Sequence, residues 1–98
     1  MNEELRRLNE VDKTIHEPSR LMLVAMLSAV EEADFLYLLQ ATGLTKGNLS
    51  AHLSRLEKAG FVEIDKSFVG KTSRTVCRLT DEGLSALEQY REQMRVIL

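Results

Sequence analysis

Ninety-eight residues, 44% of them hydrophobic and 29% charged, suit one ordinary globular domain with a small core and leave no room for a second. A formal net charge of −2 is not that of a chain basic throughout, and the lone Cys77 excludes an intrachain disulfide or a cysteine-clustered metal site. No apolar run approaches the ~20 residues of a membrane span, and the opening MNEELRRLNE lacks signal-peptide character, so the expected compartment is the cytoplasm.

Residues 3–13 read as an amphipathic helix, with Leu5, Leu8, Val11 or Asp12, and Ile15 at roughly heptad spacing on a highly charged background. Such a stripe must be buried on something. His16-Glu17-Pro18-Ser19 ends it, because the residue before a proline is pushed out of the α region, and Pro18 can open the next helix at its first turn. From Ser19 to about Val30 the chain is nearly apolar all round, which predicts a central core helix with Met22 and Met26 as flexible filler. Glu31 to Asp34 is a polar break. Asp34 is placed to cap a third helix, Phe35 to Ala41, whose Phe35, Leu36, Leu38 and Leu39 are expected in the core, and Thr42-Gly43-Leu44 makes a tight turn.

Thr45 to Gly60, TKGNLSAHLSRLEKAG, has the ends and the period of one short helix. The Thr45 hydroxyl can accept a hydrogen bond from an unpaired first-turn amide, and Ala59-Gly60 suits a left-handed exit. Leu49, Leu53 and Leu56 recur at i, i+4 and i+7 and so share one face. The opposite face carries Gly47, Ser50, Ala51, Ser54, Arg55 and Lys58, with Lys46 and Asn48 near the first turn. It holds no large hydrophobe and was not built to bury against protein. A short helix, a glycine-containing turn and a second helix with a polar front are the helix-turn-helix signature, here residues 35–60.

After Gly60 the period changes from 3.6 to 2. Phe61 to Asp65 and Thr75 to Leu79 alternate as strands, joined by a hairpin over residues 66–74 that carries Gly70, Lys71 and Arg74. A basic hairpin directly after a helix-turn-helix is a wing, residues 61–79. Thr80 then caps a final helix with Asp81 and Glu82 in its first turn, where the helix dipole favours acids. That helix presents Leu84, Leu87, Tyr90 or Arg91, Met94, and Ile97 with Leu98.

The charge divides unevenly along this order. Residues 1–44 hold four basic and eight acidic side chains and residues 80–98 two and four, whereas 45–60 hold three and one and 61–79 four and two. The local field at a contact surface governs attraction to phosphates, so an acidic chain with a basic middle suits a salt-sensitive DNA binder.

The stretch GLTKGNLSAHLSRLEKAGFVEIDKSFVGKTSRTVCRLTDEG, Gly43 to Gly83, with its Asn-Leu-Ser-x-His-Leu core, Phe-Val-Gly and Leu-Thr-x-x-Gly, resembles the winged helix-turn-helix of small archaeal and bacterial MarR/ArsR-like transcriptional regulators. Residues 16–90 share that likeness. It implies a mostly α, α+β fold of about five helices and a two- or three-stranded β-wing. It also implies a homodimer on double-stranded DNA, joined through terminal helices 1–15 and 81–98. Leu5, Leu8, Leu84, Leu87 and Met94 are the expected interface. The flanking helices are shorter than in typical MarR proteins, the paired cysteines of ArsR metal sensors are missing, and nothing supports a small-molecule effector, a cofactor or a metal.

On this reading Asn48 and Arg55 are the candidates for two-point hydrogen bonds to base edges, and Lys46 reaches the major groove beside them. Ser50, Ser54 and Lys58 contact phosphate, Thr45 flanks them, and Lys71 and Arg74 reach the adjacent backbone or minor groove. His52, beside the leucine stripe, is expected to pack or hydrogen-bond at the domain surface. An enzyme has no support, since there is no carboxylate pair with a base, no nucleophile set and no phosphate-cradling loop. The expected function is a sequence-specific regulator acting by repression, with a protein-interaction module or an unselective architectural DNA binder as the alternatives.

Overall fold

Helix α2 (Pro18–Ser28) begins where proline allows it: Pro18 opens the first turn and Glu17, in extended backbone, caps it by accepting from the Arg20 amide at 2.8 Å. The computed structural model describes residues 2–98. Among them follow a two-residue strand β1 (Ala33–Asp34), α3 (Phe35–Thr42), α4 (Lys46–Lys58), strands β2 (Val62–Val69) and β3 (Thr72–Leu79), and the long α5 (Asp81–Ile97). The short α1 (Glu3–Arg6) precedes them all.

Local chemistry sets each boundary. Asp34 accepts from the Tyr37 amide at 2.7 Å to start α3, and Gly43, at φ 71°, ends it in the left-handed region, with its N–H bonded to Leu39. The Thr45 hydroxyl accepts from the Asn48 amide at 3.2 Å to start α4. Thr80 joins two elements at once, accepting from the Gly83 amide (3.0 Å) and donating to the Gly60 carbonyl (2.6 Å). Gly83 fits there because a Cβ would overlap the Phe61 carbonyl oxygen.

The three strands form one antiparallel sheet in the order β1-β3-β2. Register runs from Val62↔Leu79 to Val69↔Thr72, and β1 adds Ala33↔Cys77 and Asp34↔Val76. The main core gathers Leu23, Val24 and Leu27 of α2, Leu38 of α3, Leu49, Leu53 and Leu56 of α4, Val62 and Cys77 of the sheet, and Leu87 of α5. Burying each such side chain contributes about 1.5–3 kcal/mol. A second cluster seats Val11 and Ile15 against Tyr90 and Ile97 of α5, flanked by Leu8 and Met94.

Four expectations are corrected. The helix expected over 3–13 is only α1 plus a 3-10 turn over Arg7–Glu10; Val11 is extended, and the Asp12 carboxylate accepts from the Thr14 and Ile15 amides, which turns the chain instead of continuing a helix. Leu36 lies on the solvent side of α3 and is exposed, because Leu38 and the flanks of Phe35 and Leu39 already fill the core face. Toward the tip, β2 runs four residues and β3 three residues further than the alternation indicated, closing in a two-residue turn with Gly70 at φ 65° and Lys71 at negative φ, as in a type II′ turn. Leu87, expected at a subunit interface, is 1% exposed in its own core.

Candidate nucleic-acid interface

The inner face of α4 is anchored by Leu49, Leu53 and Leu56, all fully buried, so its outer face is held rigidly against the domain. At 100° per residue that outer face has two flanks. Lys46, Ser50, Ser54 and Glu57 turn toward the sheet, Asn48 and Arg55 stand two turns apart on the opposite flank, and Gly47, Ala51 and Lys58 lie between. Apart from the half-buried Ser54, all of these are exposed. Small residues at the centre let a surface approach the helix backbone closely.

The sheet-side flank and the wing enclose an open groove of about 560 Å³, lined by Ser50, Ser54 and Glu57 of α4, Ile64, Lys66 and Thr75 of the ribbon, and Phe35 and Leu53 at its floor. Thr45 spends its hydroxyl on the cap of α4. Lys71 sits in the turn at the wing tip; Arg74, paired with Ser67, is on the ribbon face opposite Lys66. The structure therefore brings Ser50 and Ser54 together with Lys66, which the sequence reading did not single out as a contact. Its place was hidden because it lay in the segment taken for loop.

Charge pairing separates the cations. Among the described residues, lysine and arginine ion pairs form at Arg78 and Arg95, and none involves Lys46, Arg55, Lys58, Lys66, Lys71 or Arg74, all six of which are exposed. Arg78, counted in the basic middle of the chain, is consumed by Glu32 (3.2 Å), Asp65 (3.5 Å) and Glu63 (4.0 Å). Loss of solvation pulls its pKa down, but Glu32 and Asp65 outweigh this and hold it above the ordinary arginine value. The basic field is thus narrower than the sequence count and concentrated on α4 and the wing.

Behind α4, Arg20 is a buried cation that the sequence left inside an apolar helix. It donates to the Thr14 carbonyl (2.6 Å), the Lys13 carbonyl (3.4 Å) and His52 Nδ1 (3.2 Å). His52 thereby hydrogen-bonds within the chain, and Glu17 Oε1 lies 3.9 Å from the same nitrogen. Partial desolvation raises the Glu17 pKa, yet the Arg20 amide and the His52 and Arg20 charges together hold it below the usual value. This cluster ties the far flank of α4 to the start of α2.

Residues 19–98 match the model of a family described as a winged helix DNA-binding domain. The chain belongs to that winged-helix family. A protein of Methanocaldococcus jannaschii is 36% identical over 78 residues, which is 80% of this chain and 85% of that one. Among solved structures, a transcriptional regulator homologue from Pyrococcus horikoshii OT3 superposes with TM-score 0.86 at 27% identity, over 97% of this chain and 93% of that one. The transcriptional repressor BigR from Xylella fastidiosa gives 0.66 at 27% identity, over 93% and 87%. The PcaV transcriptional regulator from Streptomyces coelicolor, solved with its natural ligand, shares the fold at 22% identity and TM-score 0.73, over 96% of this chain and 65% of that one. The MarR-like resemblance drawn from Gly43 to Gly83 agrees with these neighbours. The winged-helix chain is a DNA-binding transcriptional regulator.

Proposed function

We propose that the protein is a sequence-specific repressor that occupies a pseudo-palindromic operator as a cytoplasmic homodimer. The observation that carries this reading is the set of cations on α4 and the wing, exposed and unpaired among the described residues, beside a groove lined by Ser50, Ser54, Lys66 and Thr75. Residues 35–60 read the DNA, residues 61–79 hold the neighbouring backbone, and the terminal segments 1–15 and 81–98 join the subunits. Asn48 and Arg55 contact base edges from one flank of α4 and Lys46 reaches the groove from the other; Ser50, Ser54, Lys58, Lys66, Lys71 and Arg74 contact phosphates.

The homodimer has its own support. A radius of gyration of 14.9 Å and a long axis of 59 Å make the subunit more extended than the ~13 Å expected of a domain this size. The terminal segments leave Leu5, Val96 and Leu98 in solvent, Leu5 at 52% exposure. Leu84 is partly exposed as well, while Leu8 and Met94 divide their surface between the second cluster and solvent. Two-fold symmetry doubles the contact and sets half-sites about one helical turn, ~34 Å, apart.

The test is a titration of a bound duplex with Arg55→Ala plus Lys71→Ala at several salt concentrations. The proposal expects at least tenfold weaker binding and a salt slope shallower by about one or two. Unchanged affinity and slope would refute this docking.

A further inference from the structure

Phe68 is a large aromatic side chain held in solvent, 73% exposed, near the tip of a two-stranded ribbon. Nothing among the described residues covers it, and an exposed aromatic on a projecting element favours a partner surface that desolvates it. Its register says which way it faces. Phe68 pairs with Ser73, two residues beyond Lys66↔Thr75 and four beyond Ile64↔Cys77, so it shares the ribbon face that lines the groove beside α4. Val69, 63% exposed, belongs to the opposite face, with Arg74 and Ser67.

The surroundings select the partner. From Lys66 to Arg74 the ribbon carries Lys66, Lys71 and Arg74 and no acid, and among the described residues none of the three is ion-paired. An aromatic flanked by unneutralised cations on a narrow two-stranded ribbon matches a phosphate-walled groove with an apolar floor of stacked bases and sugars. A protein partner would have to be strongly acidic around one apolar pocket.

We propose that Phe68 is an apolar wedge: the wing enters the minor groove beside the site read by α4, and Phe68 seats against a base step, partly unstacking it and bending the duplex. Lys66, Lys71 and Arg74 hold the groove walls around it. Apolar wedges of this kind unstack and kink DNA, and pyrimidine–purine steps yield most easily, so the wing contributes sequence preference at a position where no hydrogen bond reads a base. This rests on the DNA-binding reading of α4 and the wing above.

The experiment measures affinity, salt slope and duplex bend, the last by energy transfer between labelled ends, on a duplex selected with the wild-type protein. Four variants are compared: Phe68→Ala, Phe68→Leu, Val69→Ala and Lys71→Ala. Phe68→Ala is expected to weaken binding about tenfold, to reduce the bend and to erase preference for a flexible step under the wing, with the salt slope unchanged. Phe68→Leu retains most of the bend and Val69→Ala changes neither quantity, whereas Lys71→Ala lowers the slope by about one and leaves the bend. Phe68→Ala with wild-type affinity and bend, or Val69→Ala with an equal loss, would overturn the wedge while leaving DNA binding by the wild type intact. Failure of the wild type to bind any duplex would overturn both.

Discussion

Asn48 and Lys58 illustrate how two exposed polar residues on one helix differ in consequence. Asn48 has a planar amide that can make two hydrogen bonds to adenine at once, so Asn48→Ala should cost about 1–3 kcal/mol on the cognate site and relax discrimination at one base pair. Lys58 offers a point charge, and Lys58→Ala should weaken binding to all sequences alike while reducing the salt slope by about one. Titrations against cognate and scrambled duplexes separate the two. Cys77 sits at the other extreme of accessibility. Burial, followed by the Glu57 and Asp34 charges, pushes its thiol up to about 11 from 9.0. A raised folded-state pKa means that its contribution to stability is whole below about pH 9 and is lost as pH climbs toward 11. A thiol reagent at pH 8 should label the native protein only at the rate of unfolding, and prompt labelling would show that Cys77 opens to solvent locally.

At the scale of elements, legibility followed the reach of the forces involved. Helix α4 could be read to its ends because its cap at Thr45, its stripe of Leu49, Leu53 and Leu56 and its exit at Gly60 are all local in sequence. Strand β1 could not, since Ala33 and Asp34 become a strand only by pairing with Cys77 and Val76 far along the chain. The strand character of the outer hairpin was missed for a different reason: both faces of Lys66 to Val69 meet solvent, so no alternation of polarity marks them. The N-terminal stripe misled because Leu5, Leu8, Val11 and Ile15 fit a helical period, whereas the Asp12 turn delivers Val11 and Ile15 to Tyr90 and Ile97 without a helix. Of the candidate site, the α4 cations and the tip of the wing were legible. The loss of Arg78 to three carboxylates and the burial of Arg20 under His52 were not, because both depend on long-range partners. Thr80 tests how tightly these elements are coupled. Its hydroxyl closes the start of α5 onto the end of α4, so Thr80→Ala should cost about 1–2 kcal/mol of stability in urea denaturation, and Thr80→Ser should restore most of it.

For the whole molecule, the extended subunit and the apolar residues at its termini bear on how one small domain gains specificity. A single α4 spans only a few base pairs, and a second copy at fixed spacing makes the site long enough to be distinctive. Sedimentation should return twice the 11.1 kDa subunit mass at micromolar concentration, and Leu5→Glu with Val96→Glu should shift it toward one subunit without unfolding it. The most direct measurement of the central claim is selection of bound sequences from a random duplex pool at two salt concentrations. A dimer reading bases through α4 should enrich one palindrome at both, with half-site centres about 10 base pairs apart. Recovery of no preferred sequence, with binding that simply fades as salt rises, would contradict it.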